Sequence, residues 1–363
     1  VLVCWTPKAV GSDWVREEIR ALSAYHVAPA AGLVKLDAME NPYRLPADLA
    51  RSLGEHLAGV AINRYPDPRD AGLEAALRDA MGIPGGLDMV LGNGSDEILQ
   101  MIAVALARPG ATMLALEPSF VMYRMSAVMA GMGYAGIPLA PDFTPDLPAV
   151  LDAIGRLRPA VTWIAYPNNP TGNLFPRESV LAIVEASPGL VVVDEAYYPV
   201  AGGASFLAEV GRHPNLVLVR TVSKLGLAGL RLGLAVGPRE WLREFDKVRL
   251  PYNVNVLSAA AAAFLLARHE VLDGQARAIV RDRAVLEAGL DAIAGVSRFP
   301  SAANFVLARV PDAPRAFGGL RERGILVKNL HGAHPLLANC LRFTVGTPDE
   351  NQRLLEALPP AIG

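Results

Sequence analysis

Between about residues 88 and 237 short apolar runs alternate with stretches whose apolar residues recur at helical spacing. The runs cover 89–91, 112–117, 161–165, 190–194, 216–221 and 230–236. They are four to six residues long in the main, rich in Val, Ile and Leu, and show no polar alternation, the pattern of strands buried on both faces. The stretches between them, such as 98–108, place apolar side chains on one helical stripe. Strands alternating with helices build a mostly parallel, doubly covered sheet, so the chain is predicted to be an α/β protein. Beyond it the pattern predicts a helix over 241–248, an alanine-rich stretch over 258–268, a helix over 276–294, strands over 304–309, 325–328 and 341–345, and a last helix from Pro348. These elements suffice for a second, smaller α/β domain. No internal repeat or low-complexity linker interrupts them.

The chain has 363 residues, 52% of them hydrophobic, enough to bury two cores. A net charge of −2 offers no basic face for nucleic acid. The longest apolar stretch, 256–267, is too short to span a bilayer, and no signal peptide of the usual layout opens the chain, so a cytoplasmic location and no membrane contact are expected. The chain opens on Val rather than Met, and a few native residues are expected to precede it. Cys4 and Cys340 have no metal or redox spacing, and His331 and His334 lack a neighbouring carboxylate or thiolate at ligand spacing; no metal site is expected.

Four segments at the ends of predicted strands carry candidate chemistry. Lys224, in Ser223-Lys224-Leu225-Gly226-Leu227-Ala228-Gly229-Leu230-Arg231, sits among small residues after an apolar strand, where a lysine can be desolvated and reached by a carbonyl carbon. Asp194 ends the run Val191-Val192-Val193, and a carboxylate there suits a cationic ring nitrogen, with Tyr197 three residues on as a hydrogen-bond donor. In Tyr166-Pro167-Asn168-Asn169-Pro170-Thr171-Gly172 the Pro, Asn and Gly content forces a tight turn able to aim the Asn169 amide. Gly92-Asn93-Gly94-Ser95-Asp96 opens a helix whose unpaired N–H groups suit a phosphate. It lacks a third glycine at dinucleotide spacing and is not a P-loop. Alone, each segment also reads as an ordinary turn; together they agree, because ligands of open α/β sheets bind beyond the strands' carboxyl ends.

In this order, Gly-Asn-Gly-Ser-Asp-Glu, Pro-Asn-Asn-Pro-Thr-Gly, Asp-Glu-Ala-Tyr, Ser-Lys with Gly-Leu-Ala-Gly-Leu-Arg, and Leu-Arg-Phe-Thr-Val-Gly-Thr resemble the fold-type-I, pyridoxal phosphate (PLP)-dependent aminotransferases over nearly the whole chain. Within that superfamily the chain is most similar to the histidinol-phosphate aminotransferases, through Glu40-Asn41-Pro42-Tyr43, Arg64-Tyr65-Pro66, Pro251-Tyr252-Asn253-Val254-Asn255 and the segment from His334 to Arg342. The resemblance implies an N-terminal arm and part of the small domain over 1–48, a large cofactor domain over 49–252, and a linking helix and C-terminal small domain over 253–363.

It also implies roles. Lys224 carries PLP and then serves as the base, Asp194 pairs with the ring nitrogen, Tyr197 and Asn169 donate to the ring's phenolic oxygen, and Phe120 stacks on the ring. Gly94, Ser95, Asp96, Ser223 and Arg231 bind the cofactor phosphate, although the Lys-to-Arg interval of seven residues is one shorter than in many superfamily members. Tyr65 reaches the phosphate of a neighbouring subunit, which makes a homodimer with a shared site. Tyr25, Asn41, Lys328 and Arg342 face the substrate; Lys328 stands where several members place Arg. Tyr123, one helical turn beyond Phe120, reads as helix packing. The reaction implied is transamination of L-histidinol phosphate with 2-oxoglutarate to imidazole acetol phosphate and glutamate, in histidine biosynthesis. Aromatic amino-acid aminotransferases and threonine-phosphate decarboxylases keep the same cofactor residues and stay open as alternatives. A non-catalytic regulator of this fold would be expected to lack Lys224, Asp194 or Arg231.

Overall fold

The computed structural model describes residues 14–23, 27–67 and 70–363. Its larger sheet has seven strands: β2 (Asp88–Asn93), β3 (Thr112–Glu117), β4 (Gly133–Pro138), β5 (Val161–Ala165), β6 (Leu190–Asp194), β7 (Leu216–Thr221) and β8 (Leu232–Gly237), in the spatial order β2-β8-β7-β6-β5-β3-β4. The smaller sheet, in the order β1-β11-β12-β10-β9, is built from β1 (Val34–Leu36), β9 (Ser297–Arg298), β10 (Phe305–Arg309), β11 (Ile325–Asn329) and β12 (Cys340–Thr344). Helices α1 (Glu17–Arg20), α2 (Ala47–Ala58) and α3 (Ala71–Met81) precede the larger sheet; α4 (Ser95–Leu106), α5 (Val121–Ala130), α6 (Leu147–Leu157) and α7 (Arg177–Ala186) are interleaved with its strands. After it come α8 (Arg239–Val248), α9 (Val256–Leu266), α10 (His269–Asp291), α11 (Ala313–Glu322) and α12 (Pro348–Ile362).

The apolar runs are continuous because each face of the larger sheet has its own core. In β6 and β7, Val191, Val193, Leu216 and Leu218 enter one cluster with Ile164 and Phe175. Val192, Val217 and Val219 enter the opposite cluster with Trp163 and Tyr123. Successive side chains of a strand point to opposite faces, so a strand covered on both sides must be apolar at every position. Two or three such side chains per strand, each stabilising by about 1.5–3 kcal/mol when fully buried, make this sheet the rigid base of the molecule. A third core, with Leu36, Phe305, Phe343, Leu354 and Leu358, underlies the smaller sheet.

Some elements escape a reading of apolar periodicity. Strand β4 carries two glycines and a proline and is only partly buried, and β1 is three residues long. The strand expected over 230–236 begins only at Leu232, because Ala228–Leu230 is a 3₁₀ turn and Arg231 adopts a left-handed conformation at φ 51°.

That turn has a consequence for the site. Strand β8 pairs antiparallel with both β2 and β7, against the parallel run of the others. Its starting end therefore lies at the edge where the other strands finish, and Arg231 joins the residues that follow β2, β5, β6 and β7. Gly233 allows a further approach: a Cβ there would lie 2.4 Å from the Ser95 backbone nitrogen at the start of α4. In the smaller sheet β1 is parallel to β11, and β11 is antiparallel to β12 with Lys328 directly opposite Arg342. Opposed residues project on the same face of a sheet.

Candidate active site

The edge described above opens into a cavity of about 1040 Å³. Of the residues singled out in the sequence, Ser95, Asp96, Phe120, Asn169, Asp194, Tyr197, Ser223, Lys224, Arg231, Lys328 and Arg342 line it. Gly94 lies just behind, Asn41 and Tyr65 are not among the lining residues, and Tyr25 lies outside the described residues.

Lys224 sits in a 3₁₀ turn closed by Gly226, which adopts φ 119°, a conformation that disfavours any residue with a Cβ. Its Nζ is 3.3 Å from the Ala38 carbonyl oxygen and 5.8 Å from the centre of the Tyr197 ring. Burial, reinforced by the charge of Arg342, brings its pKa down from 10.5 to about 8. The amine is thus readily available in its nucleophilic, neutral form.

Asp194 is buried, and burial raises its pKa to about 6, opposed by hydrogen bonds from Tyr123 and the Ala196 N–H. Tyr123 Oη donates to Oδ2 at 2.8 Å and Ala196 N to Oδ1 at 3.1 Å. The expectation that Tyr123 only packs α5 is corrected here: its ring does stack on Trp163 at 5.1 Å, yet its hydroxyl holds the carboxylate, and it lines the cavity. An apolar position with a polar tip one turn from the stacking residue carries no sign of this in the sequence, because the partner lies 71 residues away. Phe120 meets Tyr123 edge to face at 5.7 Å.

The Asn168–Asn169 turn is fixed from within. Asn168 Nδ2 donates to the Pro118 carbonyl at 3.0 Å and to Thr171 Oγ1 at 2.7 Å, while its Oδ1 accepts from Ser119. The peptide bonds before Pro167 and Pro170 are cis. Asn169 Oδ1 accepts from Arg342 Nη1 at 2.6 Å, which leaves its amide nitrogen as the end free to donate into the cavity. Arg342 Nη2 donates to the Asp37 carbonyl at 2.9 Å.

Arg231, Ser95, Asp96 and Ser223 form a cradle at the start of α4. The Arg231 guanidinium lies 3.5 Å from both Ser223 Oγ and Asp96 Oδ2, and a Cβ at Gly94 would meet it at 2.5 Å. The short Lys-to-Arg interval does not keep it from this position. Unpaired N–H groups at the helix start, two hydroxyls and a guanidinium are donors of the kind that suit a phosphate.

Asn41 has other commitments. Its Nδ2 donates to Gln275 Oε1 at 3.0 Å and approaches the Leu225 carbonyl at 3.4 Å, and its Oδ1 accepts from Tyr43 N. Those bonds tie the lysine turn to α10 and occupy the amide hydrogens, leaving the second lone pair of Oδ1. Tyr65 is 80% exposed and stacks on Tyr252 at 4.5 Å, away from this chain's own cavity. Among the described residues no cluster of three or more metal-ligating side chains occurs, and no helix is long and apolar enough to cross a membrane.

The family model for aminotransferase class I and II matches residues 31–358. The chain is 56% identical to histidinol-phosphate aminotransferase of Chromobacterium violaceum, covering 95% of this chain and 96% of that protein. It is 53% identical to histidinol-phosphate aminotransferase 1 of Burkholderia mallei, over 96% and 98%. Its fold is similar to the crystal structure of histidinol-phosphate aminotransferase from Sinorhizobium meliloti in complex with pyridoxal-5'-phosphate, with a TM-score of 0.86 at 26% identity, covering 97% of this chain and 98% of the other.

Proposed function

We propose a reaction from the premise that this chain belongs to the aminotransferase class I and II family: it transaminates L-histidinol phosphate with 2-oxoglutarate, giving imidazole acetol phosphate and glutamate in histidine biosynthesis, with PLP as its cofactor. The observation that carries the reading is one cavity in which a lysine with a loosened proton and a buried carboxylate share walls with an anion cradle on one side and Lys328 and Arg342 on the other.

The donor set fits the cofactor. Arg231, Ser95, Ser223 and the N–H groups at the start of α4 would hold its phosphate, Asp194 its ring nitrogen, and the Asn169 amide and Tyr197 hydroxyl its phenolic oxygen, with Phe120 against its face. When bound, PLP supplies an aldehyde and an electron-withdrawing ring, which make the substrate α proton removable. Lys224 Nζ would take that proton from the α carbon and pass it to the cofactor side of the substrate nitrogen, a task suited to an amine whose pKa lies near the working pH. Asp194 stays ionised opposite a cationic nitrogen and so keeps that nitrogen protonated.

Substrate choice rests on relatives of 50–56% identity and on the cationic wall. Histidinol phosphate carries a phosphate and no carboxylate, and glutamate carries two carboxylates, so the same wall must accept both. Arg342 offers a planar fork and Lys328 a point charge from adjacent strands. An amine panel with 2-oxoglutarate tests the reading: histidinol phosphate should show a kcat/KM well above that of phenylalanine or tyrosine. Higher values for the aromatic amino acids would move the assignment to aromatic aminotransferases, and carbon dioxide released from threonine phosphate would move it to decarboxylases.

The proposal includes a cytoplasmic homodimer with shared sites. Its support is the exposed pair Tyr65 and Tyr252 with Leu250 and Ile62 exposed nearby in sequence, an apolar set that a second copy would cover. Sedimentation of the wild-type chain and of Tyr65→Ala tests it; a monomeric, fully active wild-type protein would remove the shared site.

A further inference from the structure

Arg321 stands in the last turn of α11, one turn beyond Phe317, and both residues line the cavity that Lys328 and Arg342 also line. It is exposed, and among the described residues it forms no ion pair and no side-chain hydrogen bond. Such freedom sets it apart on this wall. The Arg342 fork is already engaged with Asn169 and the Asp37 carbonyl. The carboxylates of Asp37 and Glu40, which also line the cavity, share the single cation of Lys35, at 3.3 and 2.6 Å, so one of their two charges is offset. Lys328 supplies one charge without a planar fork. A phosphate monoester near neutral pH carries between one and two negative charges and three acceptor oxygens, which leaves room for a donor from α11 besides those of Lys328 and Arg342.

We infer that Arg321 is a specificity-determining residue, closing from α11 on the phosphate of the amine substrate and supplying the fork that Lys328 lacks. The inference rests on the phosphate-ester reading of the substrate given above. A single carboxylate at the same place has fewer acceptors and less charge, so Arg321 discriminates in favour of phosphate esters over glutamate.

Steady-state kinetics of the PLP-loaded wild type, Arg321→Ala and Arg321→Lys, together with the inhibition constant of inorganic phosphate against the amine substrate, test it. Arg321→Ala should raise KM for histidinol phosphate roughly tenfold, the size of one charge-assisted contact, with kcat within about twofold. KM for glutamate should stay within about twofold, and the phosphate inhibition constant should rise in parallel with the first. Arg321→Lys should fall between. An unchanged KM for histidinol phosphate, or an equal loss for both substrates, overturns the role. If wild-type protein does not turn over histidinol phosphate at all, the substrate reading falls instead, and the phosphate inhibition constant against the amine it does use decides on Arg321 alone.

Discussion

The hydroxyl of Tyr123 donates to Asp194 Oδ2 at 2.8 Å, joining a side chain of α5 to the carboxylate that ends β6. The bond stabilises the ionised carboxylate against a burial that pushes its pKa up to about 6. Tyr123→Phe keeps the ring on Trp163 and removes only the donor. The pKa of Asp194 should then rise further, so at pH 6 to 7 a smaller share of the carboxylate is ionised. A lost buried hydrogen bond is worth about 1 kcal/mol, or roughly fivefold in kcat, and the loss should be largest at the acid end of the profile and shrink above pH 8. A kcat–pH profile of the variant displaced to higher pH is the expected signature; a uniform loss at all pH values would show that Tyr123 acts through packing.

Lys224 and Asp194 should also make the cofactor-free protein less stable than the same fold without them. The folded pKa of Lys224, about 8, lies below its ordinary 10.5, so the unfolded chain holds the proton more tightly between these values and stability rises with pH across that window. For Asp194 the folded value, about 6, lies above its ordinary 3.8, the folded chain binds the proton more tightly, and stability falls as pH rises from about 4 to 6. Lys224→Met should therefore abolish turnover yet stabilise the cofactor-free protein at pH 7 by on the order of 1–3 kcal/mol, a gain that disappears above about pH 10. Urea unfolding of both proteins at pH 7 and pH 10 measures it.

The sequence makes the strand-end residues that line the cavity legible because their signals are local: a lysine among small residues, an acid closing a β-branched run, a turn of Pro and Asn, a glycine pair before a helix. What it hides are relations set by the packing of distant segments. Tyr123 reads as helix packing until β6 is placed beside α5. The bonds of Asn41 to Gln275 of α10 and to the Leu225 carbonyl are equally hidden until those segments are placed together. Arg231, seven residues after Lys224, reaches the start of α4 through a left-handed backbone conformation and the reversed direction of β8, neither of which has a periodic signature.

Glu195, next to the carboxylate of the site, forms a buried pair with Arg220 in which Nε and Nη2 reach one carboxylate oxygen at 3.0 and 2.8 Å. Arg220 is 2% exposed, donates also to the Met81 carbonyl and Ser205, and lies 4.0 Å over the Tyr198 ring. Removing one partner leaves the other charge buried without compensation, so Arg220→Met should destabilise by about 3–5 kcal/mol. Replacing both, as Arg220→Met with Glu195→Leu, should recover part of that loss, although the Glu195 bonds to Ser205 and the Phe206 N–H are also removed. Thermal unfolding of the two single variants and the double variant would show the coupling; additive losses would mean that the pair contributes nothing as a pair.

Arg342 lowers the proton affinity of Lys224 by charge and, separately, turns the Asn169 amide by hydrogen bonding. The two effects can be told apart in the cofactor-free protein by following acylation of Lys224 with an amine-directed reagent, read at the peptide level by mass spectrometry across pH. Wild-type labelling should have its midpoint near pH 8, where the amine loses its proton. Arg342→Met keeps most of the volume and removes the charge, so the midpoint should move upward, toward the ordinary lysine value, because an adjacent cation no longer opposes protonation. Arg342→Lys retains a charge but not the planar fork; its midpoint should stay near that of the wild type even as transamination falls, since a single ammonium cannot both hold Asn169 Oδ1 and accept a substrate anion in the same geometry. A midpoint in Arg342→Met equal to that of the wild type would show that the charge of Arg342 does not set the pKa of Lys224 and would leave it the bond to Asn169.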